Sequence, residues 1–143
     1  ITQKDSCQSS NVDQSLGTLF SNVYQQIGMQ GIKNLEAPFA QYLSFPKNAN
    51  DENKVILRAG TLITKPIEAV DGFELGQTTE GNIIKCSHYG AYEMIFKTHE
   101  KIKSYCKEND LTIISDPFEF YVTDPSTESD MAKWRTDVVY EIE

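Results

Sequence analysis

The sequence predicts an α+β fold: two pseudo-symmetric strand–helix–strand–strand repeats forming a shared antiparallel sheet with two helices on one face. Three observations carry this expectation. Two segments place apolar residues at helical spacing. Each is followed by two strand-like runs separated by a polar turn. The second half of the chain also repeats the first at a constant offset of 79 residues.

The elements follow in order. Ile1 to Cys7 is a weak candidate for a first strand. Leu16, Phe20, Val23 and Ile27 share one helical face, predicting a helix from about Ser15 to Gln30. Asp13 or Ser15 can cap its start, and Gly31 can stop it. Pro38 to Phe45 and Val55 to Ile63 read as a hairpin across a polar turn at Pro46 to Asn53. Gly72 to Glu80 is ambiguous, with a possible strand broken near Gly76. Asn82 to His88 is a clearer strand. Gly90 opens a second helix whose apolar face holds Tyr92, Ile95, Phe96, His99, Ile102, Tyr105 and Cys106, ended by Asn109 and Asp110. Pro117 to Thr123 and Trp134 to Ile142 form a second hairpin across the turn Asp124 to Asp130. The offset sets Pro38 on Pro117, Tyr42 on Tyr121, Pro46 on Pro125 and Asp51 on Asp130, and keeps the helices in phase, with Leu16 on Ile95 and Val23 on Ile102. One repeat alone has a poor core, but two side by side can share a sheet. A single domain over residues 1–143 is expected, with repeats of about 1–70 and 71–143.

Composition narrows the function. The chain has 143 residues, 39% apolar and 24% charged, with a formal net charge of −8. Phosphate binding needs a concentrated basic face, and the lysines and arginines here are scattered, so direct nucleic-acid binding is not expected. No run approaches the roughly 18 apolar residues of a membrane helix. The polar start is no signal peptide, and the missing initiator Met suggests a fragment or processed form. Three widely spaced cysteines suggest neither a disulfide framework nor zinc, and a reducing, cytoplasmic setting is the simpler reading. Carboxylates at metal-ligand spacing, a Ser-His-Asp set and a glycine-rich phosphate loop are all missing, so no metal, cofactor or nucleophilic triad is expected.

Three motifs resemble one family. HYGAY (His88 to Tyr92) is similar to the His-x-Gly-Pro-Tyr start of the second helix in GyrI-like domains. FEFYVTDP (Phe118 to Pro125) resembles their Glu-x-Tyr-x-x-Asp-Pro strand, and DMAKWRTDVVYEI (Asp130 to Ile142) their closing strand. Ala91 replaces the usual proline and Asp137 a more common Glu. The resemblance, from about Asp13 onward, identifies the chain as a member of this bacterial effector-binding family. It implies a ligand site between the repeats, on the sheet face away from the helices. It also implies amphipathic, often cationic ligands, and in some members fusion to helix-turn-helix domains. A few members are implied to hydrolyse reactive electrophiles.

Alternation along Phe118 to Val122 sets Phe118, Phe120 and Val122 on one face and Glu119 and Tyr121 on the other. The apolar set is expected against the helices, leaving Glu119 and Tyr121 toward the ligand. Their first-repeat counterparts are Ala40 and Tyr42, so the site would hold two tyrosines, one acid and room opposite it. From the residues alone Glu119 could be an ordinary exposed strand residue; the resemblance makes it the pocket acid. A carboxylate among aromatic rings suits a lipophilic cation. Tyr92 suits cleft or core equally, and Trp134 suits the core or the cleft rim. Asp137 is expected to be solvated. His99 is expected to be a satisfied core histidine, and His88 to order the turn into the helix. The leading reading is a sensor of a small organic molecule, acting in transcription or drug response through an upstream fused domain or a protein partner. The alternatives are a small hydrolase using Glu119 and an acidic protein-interaction module of the gyrase-inhibitor type.

Overall fold

A computed structural model of the chain describes residues 1–32, 36–45, 54–68, 70–78 and 80–143. The expected polar turn at Pro46 to Asn53 lies outside the described residues. The chain divides into two compact units, Ile1–Thr78 and Thr79–Glu143. Both are α+β, and all strand pairings within them are antiparallel.

Unit 1 runs β1 (Thr2–Cys7), α1 (Val12–Met29), β2 (Phe39–Ser44) and β3 (Val55–Gly60). The weak first strand is present, and β3 lies between β1 and β2. Val55, Leu57 and Ala59 of β3 are fully buried. On the same face Asp5 accepts a hydrogen bond from Ser15 of α1, and Gln3 accepts one from Asn22 of α1 at 2.9 Å. Leu16, Leu19, Val23 and Ile27 form the buried stripe of α1. Ile1, Val23 and Ile27 form a core cluster against which Tyr24, Ile32, Ile63, Ile67 and Phe73 pack. Gly31 ends the helix at φ +73°, a left-handed conformation that spares a Cβ clash. The amide of Ile32 returns to the Ile27 carbonyl at 3.0 Å.

Neither expected N-cap is used: α1 starts at Val12 behind Asn11, which makes no side-chain cap bond. Ser15 serves Asp5 instead, because a short turn precedes the helix and carries Ser15 into its first full turn. Among the described residues from Gly72 to Glu80, only Glu74 pairs with a strand, bonding Thr2 in both directions at 2.8 and 2.9 Å.

Unit 2 runs β4 (Asn82–Tyr89), α2 (Ile95–Glu108), β5 (Phe118–Tyr121) and β6 (Arg135–Ile142), with β6 in the middle. A short turn at Tyr92–Met94 leads into α2. Ile95, Ile102 and Cys106 of α2 pack on Val138 and Tyr140 of β6. The register matches that of unit 1 at the expected offset: Ala40 faces Ala59 and Tyr42 faces Leu57, while Glu119 faces Val138 and Tyr121 faces Thr136. The helix ends correspond as well. Asp110 stands at φ +53° and the Leu111 amide bonds the Cys106 carbonyl at 2.9 Å.

The stripe of α2 is narrower than expected. Phe96 and Tyr105, predicted on its apolar face, are each 52% exposed, and the buried positions are Ile95, Thr98, Ile102 and Cys106. Thr98 can be buried because its hydroxyl meets His88 Nδ1 at 3.1 Å, which rotates the stripe toward a residue that looks polar in sequence. The other His88 ring nitrogen reaches the Ala91 carbonyl at 3.1 Å, so this histidine does order the turn into α2. Among the described residues no helix is long and apolar enough to cross a membrane.

Candidate functional site

The helix-facing side of unit 2 is fixed by β6, where Val138 and Tyr140 pack on α2. Cross-strand partners in an antiparallel pair point to the same side. Glu119 and Tyr121, opposite Val138 and Thr136, therefore lie on the helix side. Phe118 and Phe120, opposite Val139 and Asp137, lie on the other side, their rings stacked with centroids 6.3 Å apart. This reverses the expectation that the phenylalanines pack on the helices while Glu119 and Tyr121 point away. Alternation sorts residues into two sets, but only the register with the central strand decides which set meets the helix.

Glu119 is 7% exposed, and its two oxygens are engaged separately. His99 Nε2 lies 2.8 Å from Oε1, and the Tyr121 hydroxyl donates to Oε2 at 2.8 Å. His99 Nδ1 lies 2.8 Å from the Tyr140 hydroxyl. With Glu119 ionised, Nε2 must carry a proton. A neutral imidazole has only one, so Nδ1 accepts from Tyr140. Every donor in this chain, from Tyr140 through His99 to Glu119 and from Tyr121 to Glu119, is then satisfied. Burial, with the negative Glu119 next in effect, pushes the Tyr140 hydroxyl up to about 12, so it stays a donor.

Aromatic rings continue from Tyr121. Tyr92 meets it edge-on at 5.6 Å between centroids and lies 5.0 Å from the Trp134 ring. Trp134 is held by a 2.7 Å bond from its indole nitrogen to the Glu128 carbonyl, and Tyr92 is placed by the turn that His88 orders. Thr136, opposite Tyr121, is fully buried, and its hydroxyl has no hydrogen-bond partner among the described residues. The structure thus brings together four of the sequence-predicted site residues: Glu119, Tyr121, Tyr92 and Trp134. Ala40 and Tyr42 belong to unit 1, on the α1 side of β2, with Ala40 fully buried and Tyr42 half-buried.

Sequence reasoning missed His99 and Tyr140 as members of the cluster. The available signal was that His99 interrupts an apolar helix stripe while Tyr140 lies two residues beyond Val138, on the same side of β6. Asp137 is not solvated as expected but 7% exposed. Arg135 grips it with two 2.8 Å bonds, Ser87 donates at 2.7 Å, and Lys85 Nζ lies 3.5 Å away. Burial works to raise its carboxyl, but these donors and charges outweigh it and hold the group below the usual carboxylate range. An open concavity of about 280 Å³ lies on unit 1 among Gln3, Asn22, Gln25, Gln26, Met29 and Phe73. It has no titratable side chain, and the Gln3–Asn22 bond ties its wall together. Among the described residues no cluster of histidine, cysteine or carboxylate side chains could hold a metal ion.

A family model described as the GyrI-like small molecule binding domain matches residues 3–142. The chain belongs to this family. This GyrI-like domain is similar to the EcmrR C-terminal domain, with a TM-score of 0.75, 15% identity, and coverage of 99% of this chain and 89% of that one. It also matches EcmrR in a cryo-EM structure of an EcmrR–DNA complex, at TM-score 0.78 and 14% identity, covering 99% of this chain but only 52% of EcmrR. A hydrolase from Listeria innocua shares the fold at TM-score 0.68 and 11% identity, with 99% and 85% covered. No curated protein matches the sequence.

Proposed function

We propose that this GyrI-like domain senses an amphipathic organic cation, held against Glu119 by charge and against Tyr121, Tyr92 and Trp134 by their rings. The observation that carries this reading is the buried, doubly hydrogen-bonded Glu119 at the edge of an aromatic row. A carboxylate kept out of water attracts a cation more strongly than one in bulk solvent, and ring faces favour the same charge. The sensor acts on transcription through a domain or partner outside this chain. The similarity to part of EcmrR, which is seen in complex with DNA, supports that linkage.

Calorimetric titration with methyltriphenylphosphonium and its neutral counterpart triphenylphosphine oxide tests the charge claim. Glu119→Gln keeps shape and removes charge. It is expected to cost on the order of 1–3 kcal/mol for the cation and little for the oxide. Equal losses for both ligands would sink the cation reading.

One observation favours a second reading, a hydrolase of strained electrophiles. His99 connects Glu119 to Tyr140, so a proton that Glu119 gains or loses has a neighbour to share it. Turnover of an aryl epoxide such as styrene oxide, abolished in Glu119→Gln, would favour catalysis. Binding without turnover would favour the sensor.

A further inference from the structure

We infer that His99 sets the charge of this site: its neutral imidazole leaves Glu119 a full anion for a cationic guest, and its protonated form cancels that charge. The inference rests on the reading that a ligand meets Glu119, and adds a specificity-determining residue that does not itself need to touch the ligand.

The geometry leads here in three steps. Glu119 and His99 are both largely enclosed, with side chains 9% and 16% exposed, so water screens their 2.8 Å contact poorly. Among the described residues His99 is the one basic group paired with Glu119. An arginine or lysine in its place would hold the pair permanently near zero charge, whereas an imidazole can add its second proton within roughly pH 5–8. Finally, both ring nitrogens are already in hydrogen-bond geometry, so protonation shifts no heavy atom and asks only that the Tyr140 hydroxyl turn its own proton away from Nδ1. Nδ1 becomes a donor to the Tyr140 oxygen, and the site passes from −1 to 0.

The other groups around the imidazole leave this switch intact. From β5 it meets Glu119 and, through it, the neutral donor Tyr121. From β6 it meets Tyr140, whose hydroxyl keeps its proton. From β4, Cys86 packs on the same core cluster, to which Cys106 of α2 belongs. Lys103, one turn further along α2, is exposed. The second histidine, His88, is committed to Thr98 and Ala91.

The test measures affinity for methyltriphenylphosphonium and triphenylphosphine oxide from pH 8 to 5.5, in the unmodified chain and in His99→Gln. Glutamine can keep a donor toward Glu119 but cannot gain a proton. The unmodified chain is expected to lose about tenfold in cation affinity over this range, with a slope of at most one log unit per pH unit for one linked proton. The oxide should bind evenly throughout, and His99→Gln should hold the cation evenly as well. A loss that persists in His99→Gln means that Glu119 itself titrates, and overturns the inference. So does an unmodified chain whose cation affinity is flat.

If His99→Gln does not fold, nitrogen-15 spectra of the two imidazoles in the unmodified chain decide. His99 must change from the singly protonated Nε2–H form to the doubly protonated form over the same pH range in which cation affinity falls. A fall with His99 unchanged overturns the inference. Failure of the parent reading is distinct: Glu119→Gln would then leave cation affinity at pH 8 unaltered.

Discussion

β2 of unit 1 and β5 of unit 2 occupy matching places beside their central strands, yet they carry opposite kinds of chemistry. At the shared register Ala40 stands where Glu119 does, and Tyr42 where Tyr121 does. The offset extends the comparison to the helix and the central strand's end: Phe20 corresponds to His99 and Thr61 to Tyr140. Unit 1 thus has Ala–Phe–Thr where unit 2 has Glu–His–Tyr. On this side, unit 1 ties its helix to the sheet through the opposite edge strand, by Asp5–Ser15 and Gln3–Asn22. The opposite sheet face also diverges. Arg58 of β3, 3.6 Å from Glu74, takes the place of the buried Asp137 of β6. The same backbone pattern tolerates a buried charge at either place, provided partners arrive with it.

The comparison can be broken hardest at Ala40. Ala40→Glu puts a carboxylate where Phe20 offers no hydrogen bond, and is expected to destabilise the chain by on the order of 3–5 kcal/mol in urea unfolding. Adding Phe20→His should recover at least about 0.5 kcal/mol beyond additivity. A double variant no better than the sum of the two would show that the likeness stops at the backbone.

Asp137→Asn tests the opposite sheet face. A depressed carboxyl contributes stability that is present above its unfolded value, about 3.9, and is lost as the pH falls through its lower folded value. The variant should therefore be less stable by about 1–2 kcal/mol at pH 7, with Arg135 partly screened by water. The gap should hold down to about pH 5 and close below about pH 4. A gap that widens on acidification would contradict the ion pairing.

The smallest expected effect lies at the helix ends. Asp110→Gly should stabilise by about 0.5–1 kcal/mol by relieving a left-handed residue, and Gly31→Asp should destabilise by a similar amount. Thermal unfolding of both variants would sharpen the claim that the two ends are equivalent.

Much of this arrangement was legible in the sequence, for reasons that also mark the limit. Both helices and five of the six described strands announce themselves by local periodicity and punctuation, and the weak first strand, expected from the repeat, lies near its expected place. Glu119, Tyr121, Tyr92 and Trp134 could be singled out by residue type and resemblance. The facing of β5 could not be read from its own FEFY, because the deciding quantity is its pairing with Val138 and Thr136. His99 and Tyr140 were hidden for the same reason: the polar chain exists only once α2 is rotated so that Thr98, not Phe96, is buried. Asp137 looked solvated because its partner Ser87 lies on another strand, 50 residues away.

Under the proposed function, the two donors on Glu119 also shape what kind of guest it would welcome. A carboxylate has room for about four hydrogen bonds, and here two are filled from within the protein. An arriving molecule need not supply a donor to keep the oxygens satisfied, nor evict one already in place. If the proposed function holds, the site would discriminate by net charge and ring surface without requiring that the guest bear an N–H. A quaternary ammonium or phosphonium ion would leave neither oxygen unsatisfied, while an amine could still donate to the open positions, so guests of quite different skeletons could share one binding place.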